Sequence, residues 1–160
     1  MAAFGGPHIL RFTTSSHDNH GYLTKAPGAV GALNQRLASK IEDHLEELVL
    51  VEEDFQDGAE VLILSYGITA RAAREAVLRA RAAGRRISHL VVQCLWPVPE
   101  TAIQKAAKGV TRVVVPELNL GQYRREVERV LGGTVSVQGV HRVDGELITP
   151  AQILEAGGIR

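Results

Sequence analysis

The chain has 160 residues, of which 45% are hydrophobic; 18 Lys and Arg balance 18 Asp and Glu, and there is one cysteine, Cys94. That length suits one domain with a real core, zero net charge excludes a nucleic-acid binder driven by bulk charge, and few aromatics exclude a base-stacking platform. A single cysteine excludes an internal disulfide and a cysteine-based zinc cluster, no apolar run approaches the ~20 residues of a membrane span, and no secretory pattern opens the chain, so a reducing, cytoplasmic setting is expected.

Residues 1–27 read as a linker. Within them, residues 13–22 are polar and turn-rich. His17, Asp18 and His20 bring two imidazoles and a carboxylate together; His17 and His20 are candidate metal ligands, without a third ligand in view. Pro27 suits the first turn of a helix. Val30, Leu33, Leu37, Ile41, Leu45 and Leu48 then recur at three- and four-residue steps. This predicts one long amphipathic helix over residues 29–48, inside a helix-and-arm segment at 28–57. Its last turns carry Glu42, Asp43, Glu46 and Glu47, which oppose the macrodipole, so packing must hold it. Residues 49–51 suit a short strand.

The turn Asp57-Gly58 opens an α/β domain at 58–160. A buried strand is expected at 61–65, then the Tyr66-Gly67 turn. A helix follows, capped by Thr69, with Ala73, Ala76, Val77, Ala80 and Ala83 inward and Gly84 at its end. A second strand is expected at 87–95, with Cys94 inside it as an inert core thiol. The loop Trp96-Pro97-Val98-Pro99 leads to a short helix closed by Gly109. Val113, Val114 and Val115 predict a third strand stopped by Pro116. Asn119 and Gln122 have capping-box spacing ahead of the stripe Tyr123, Val127, Val130 and Leu131. A fourth strand at 134–140, a turn at 143–147 and a last helix boxed by Thr149 and Gln152 complete the chain. Alternating strands and helices predict a three-layer α/β fold, a mostly parallel sheet between helices.

No dinucleotide or P-loop glycine pattern occurs. Gly67, Thr69 and Arg71 could hold an anion at a helix start, although Gly67 reads first as a tight-turn residue. The set Arg71, Arg74, Arg79, Arg81, Arg85 and Arg86 reads as a phosphate-facing or a solvated helix face. Glu117 could act as an acid or base, bind a partner's arginine, or favour the helix start beside an Asn119 cap. No nucleophile–base pair stands near it in sequence. Trp96 is either an interface anchor or a lid on the core.

Several segments together resemble the α subunit of 2-oxoacid:ferredoxin oxidoreductases, most closely the 2-oxoglutarate type. They are Ser16-His-Asp-Asn-His-Gly-Tyr22, the helix from Pro27, Ala59-Glu-Val-Leu-Ile-Leu-Ser-Tyr-Gly67, Leu95-Trp-Pro-Val-Pro99, Val115-Pro-Glu-Leu-Asn-Leu-Gly-Gln122 and Arg142-Val-Asp-Gly-Glu-Leu-Ile-Thr-Pro150. The resemblance covers residues 8–155 and implies the C-terminal, transketolase C-terminal-like domain of such a subunit. It further implies a thiamine diphosphate-dependent complex, with Mg, iron–sulfur clusters and coenzyme A. That complex converts a 2-oxoacid and coenzyme A to acyl-CoA and carbon dioxide and passes electrons to ferredoxin.

By the resemblance this chain binds none of those cofactors alone, carries no catalytic residue and is inactive alone. Its partners would be a β subunit, the α subunit's N-terminal domain and, through the complex, ferredoxin, with no nucleic acid and no membrane. Glu117, Asn119, Gly121 and Gln122, with Trp96, would shape a loop that docks on the neighbouring domain. The alternative is a free-standing α/β module binding an anionic ligand such as a nucleotide or coenzyme A. A piece of another thiamine enzyme of the same fold is a third reading, which the residues 116–122 loop disfavours.

Overall fold

The computed structural model describes residues 5–8 and 15–159. They fall into two compact units, one through Leu45 and one from Glu46.

In the first unit, residues 15–24 form a closed turn. His17 bridges Leu23, and the Asp18 carboxylate accepts from the amides of His20 at 2.9 Å and Tyr22 at 3.0 Å. Helix α1 spans Pro27–Glu42, with proline in its first turn as expected, and no residue of it is buried. The helix expected over residues 29–48 is therefore broken. The amides of Asp43 and His44 turn back onto the carbonyls of Ser39 and Ile41, and a four-residue helix α2, Leu45–Leu48, follows. The break falls where four acids meet the negative end of the helix dipole.

The second unit is a five-stranded sheet between two helical layers. Its strands are β1 (Val51–Asp54), β2 (Val61–Tyr66), β3 (Ile87–Val92), β4 (Arg112–Glu117) and β5 (Ser136–His141), in the order β1-β3-β2-β4-β5. The β2–β3, β2–β4 and β4–β5 pairs are parallel, and β1 is an antiparallel edge. Helices α3 (Thr69–Ala82) and α6 (Pro150–Ala156) cover one face. Helices α4 (Glu100–Ala106) and α5 (Gln122–Leu131) cover the other. Leu62, Leu64, Val113 and Val115 point to the α5 side, while Ile63 and Val114 point to the α3 side. Alternate residues of one strand thus feed two cores, which is why these strands read as continuous apolar runs. No helix among the described residues is long and apolar enough to cross a membrane.

Several local expectations change. The strand from Ile87 ends at Val92, so Cys94 lies past it, half-buried, with its thiol 3.2 Å from the Trp96 carbonyl. Ala83 is exposed beyond the end of α3. Thr69 does not cap α3, because its hydroxyl donates to the Tyr66 carbonyl at 2.8 Å. Pro116 does not stop β4, which runs on to Glu117 beside His141. The Glu117 carbonyl accepts from Arg142 on the β5 side. The nitrogen of Pro116 therefore faces β2, where pairing has already ended at Val114. A missing donor costs nothing there.

Strand β1 comes from the segment expected as a connecting arm. Its sequence Val-Glu-Glu-Asp has no apolar alternation. It pairs with β3 along its length, Val51 packs on the core, and ion pairs add to this, with Glu52 to Arg74 and Asp54 to Arg81 of α3, and Glu53 to Lys105 of α4. Arg74 and Arg81 of the set considered for phosphates are thus occupied by the sheet edge, and Arg79 pairs with Glu75.

Candidate functional site

Strands β2, β4 and β5 end side by side. Their registers put Val114 beside Ile63 and Glu117 beside His141, and the same offset carries Tyr66 opposite Glu117. In open α/β sheets this carboxyl edge is where ligands and partners meet the chain.

Glu117 is the centre of the cluster and is 0% exposed. Its Oε1 accepts from the amide of Tyr123 at 2.8 Å and from the Tyr66 hydroxyl at 3.1 Å. Its Oε2 accepts from the amide of Arg124 at 3.3 Å and lies 3.8 Å from His141 Nε2. Asn119 completes the helix start. Its Oδ1 accepts from the amides of Gly121 at 2.7 Å and Gln122 at 3.2 Å, and its Nδ2 donates to the Tyr66 hydroxyl at 2.8 Å. The first amides of α5, which have no partner within the helix, are therefore served by Glu117 and Asn119. The expected Asn119–Gln122 box is replaced by this two-residue cap.

A carboxylate buried against a helix N-terminus is stabilised by the dipole and by its hydrogen bonds, and offsets its own desolvation cost that way. Three chain groups donate to it. Glu117 is thus buried in the helix start and not displayed on the loop. The loop's exposed side chains are Leu118, Leu120 and Gln122, with Leu120 70% exposed. Gly121 is the N-cap, with φ 85°, and is itself buried. A Cβ there would lie 2.7 Å from His141 Cε1, and one at Gly139 would also strike that ring. The imidazole therefore sits in a slot that two glycines leave open.

The Tyr66 and Tyr123 rings meet edge to face at 5.4 Å. Burial, reinforced by the Glu117 charge, pushes the Tyr66 phenol up to about 12. Burial likewise raises the Tyr123 phenol, whose oxygen has no hydrogen-bond partner among the described residues. Sequence reasoning placed Tyr66 in a turn and Tyr123 in an apolar stripe, and it passed over His141. Strand register brings Tyr66 and His141 to Glu117, and the start of α5 brings the Tyr123 amide.

Trp96 stands in the neighbouring loop after β3, 69% exposed. Ile68, Leu95, Val143 and Leu147 are exposed in the loops that follow β2, β3 and β5. Together with Leu118 and Leu120 they put most of the large exposed apolar side chains of this unit on one sheet edge.

The anion candidates fare differently. The Thr69 hydroxyl is spent on Tyr66, and Arg71 borders a 270 Å³ cavity whose other walls include Ile68, Leu118, Leu147 and Ile148. In the first unit, Asp18 is engaged by two backbone amides between His17 and His20. No group of three or more metal-ligating side chains comes together among the described residues.

Residues 59–153 match the model of the pyruvate:ferredoxin oxidoreductase core domain II. The chain belongs to that family. Over 155 residues it is 36% identical to the 2-oxoglutarate synthase subunit KorA of Methanothermobacter marburgensis, covering 96% of this chain and 41% of that protein. Over 110 residues it is 37% identical to the ketoisovalerate oxidoreductase subunit VorB of Methanothermobacter thermautotrophicus, covering 69% of this chain and 31% of that protein. The chain thus spans less than half the length of these curated relatives. In fold it is similar to the 2-oxoglutarate:ferredoxin oxidoreductase of Magnetococcus marinus, with a TM-score of 0.73 at 24% identity over 97% of this chain and 27% of that one. A split-gene transketolase in an inactive tetramer superposes with a TM-score of 0.51 over 68% of this chain and 38% of its own. Core domain II therefore has the transketolase-like architecture that the resemblance implies.

Proposed function

We propose that this chain is the core domain II portion of a 2-oxoacid:ferredoxin oxidoreductase α subunit of the 2-oxoglutarate type, and that the carboxyl edge of its sheet docks on neighbouring domains of that complex. The observation that carries this reading is the 36% identity to a 2-oxoglutarate synthase subunit across 96% of the chain. The complex would convert a 2-oxoacid and coenzyme A to acyl-CoA and carbon dioxide, with thiamine diphosphate, Mg and iron–sulfur clusters held elsewhere and the electrons passing to ferredoxin. One cysteine cannot furnish the thiolates of an iron–sulfur cluster. The Glu117 carboxylate is committed to a helix start. The share of this chain is thus assembly and positioning, with Glu117, Asn119 and Gly121 shaping the loop and Leu118, Leu120, Gln122 and Trp96 meeting the partner.

Co-expression with a β subunit and the remainder of an α subunit tests this. Assembly and coenzyme A-dependent reduction of ferredoxin by 2-oxoglutarate are expected together, and Leu120→Asp with Trp96→Asp lowers both without unfolding the chain. Decarboxylation by the isolated chain, or full assembly with both aspartates in place, overturns it.

A further inference from the structure

The opposite, amino edge of the sheet carries a second feature, independent of the docking reading. A cavity of 450 Å³ opens there, bordered by Gly58, Glu60, Arg85, Arg86, Arg112 and the Gly157-Gly158 turn. Its guanidinium groups rest on glycine backbone. A Cβ at Gly58 would come within 2.8 Å of Arg86 Cζ, and one at Gly158 within 2.6 Å of Arg112 Nη1. Both glycines have positive φ, 68° and 67°. Arg112 is held further by donating to the Gly157 carbonyl at 2.9 Å, which uses one of its five N–H groups. Arg86 and Arg112 both border this cavity, with the carboxylate of Glu60 beside them. Unlike Arg74, Arg79 and Arg81, neither Arg86 nor Arg112 is tied to an acid among the described residues.

We propose that this cavity binds a small phosphorylated anion, a phosphate ester or a diphosphate, gripped between Arg86 and Arg112. Planar guanidinium forks match phosphate oxygens in pairs. Groups already seated on glycine lose little freedom when the ligand arrives. Two guanidiniums, neither tied to an acid among the described residues, suit a dianion or higher, and the volume lies within the roughly 300–1,000 Å³ typical of small-molecule sites. Glu60 tunes the site against itself.

The test titrates the 160-residue chain with inorganic pyrophosphate and with ADP at low ionic strength, following the amide resonances of Gly58, Gly84 and Gly157 together with binding heat. Saturable shifts at these glycines are expected. Arg86→Gln should weaken binding about fivefold or more. Glu60→Gln should tighten it, and Arg71→Gln at the far edge should leave it unchanged. Arg86 is exposed, so its variant keeps the fold, and the unfolding midpoint checks that. Three results overturn the proposal: shifts that do not saturate, shifts confined to residues 67–71, or citrate binding as tightly as pyrophosphate at the same glycines.

Discussion

The Tyr66 hydroxyl donates to Glu117 Oε1 across 3.1 Å, joining the ends of two neighbouring strands, and the same oxygen accepts the Tyr123 amide that begins α5. One carboxylate therefore couples the sheet edge to the start of a helix. Glu117→Ala leaves two amides and a phenol without an acceptor and should cost about 3 kcal/mol in urea unfolding. Glu117→Gln keeps one good acceptor and loses the charge at the helix dipole, for a cost of about 1–2 kcal/mol. Equal stability of both variants and the parent would show that the cap is not formed in solution.

Gly121→Ala meets two obstacles, a left-handed backbone at φ 85° and the His141 ring. A cost of about 1–3 kcal/mol is expected. Adding His141→Ala should recover the steric part and leave the backbone part. A double-mutant cycle with no coupling between the two positions would disprove the slot.

His89 is 2% exposed on β3, with Nε2 2.7 Å from the Ser65 hydroxyl. Glu52 and Asp54 of β1 favour its charged form, whereas Arg74 and Arg81 of α3 oppose it. Burial outweighs all four and pulls the imidazole down to about 4. The unfolded chain binds a proton near pH 6.5 and the folded chain does not. The contribution of His89 to stability is therefore flat above that pH, falls as pH drops from 6.5 to about 4 and levels off below. The loss is about 3 kcal/mol. His89→Gln, which has no proton to bind, should flatten this step in pH-dependent unfolding. An unchanged profile would place the acid sensitivity elsewhere.

At alkaline pH the sign reverses. The folded Tyr66 phenol ionises near 12, above its ordinary 10. Its contribution is intact below pH 10 and is lost as pH rises through about 12. Phenolate absorbance of the parent and of Tyr66→Phe should differ by one titration in that window, and a difference that titrates at pH 10 would refute the buried Tyr66–Glu117 pair.

The asparagine–glutamine spacing at 119 and 122 and the threonine–glutamine spacing at 149 and 152 look alike in sequence, yet only the second forms a reciprocal box, with the Thr149 amide donating to Gln152 Oε1 at 2.9 Å and its hydroxyl accepting the Gln152 amide. The first is displaced because a carboxylate from the preceding strand reaches the amides six and seven residues on. A left-handed glycine at position 121 begins the helix between them.

By itself the sequence determined what is local. Apolar runs made the strands, three- and four-residue periodicity made the helices, Gly84 and Gly109 closed two of them with positive φ, and strand–helix alternation made a parallel sheet between helical layers. The motif around Glu117 also pointed to the family. Tertiary structure alone decided that Val-Glu-Glu-Asp is an edge strand, because β3, with arginines and a lysine far along the chain, holds it. It alone brought Tyr66 and His141 to Glu117 and seated two guanidiniums on Gly58 and Gly158. Propensity and periodicity act over one or two turns of chain. These contacts depend on strand register and on how helices pack over the sheet, between residues far apart in the chain, which no short pattern encodes.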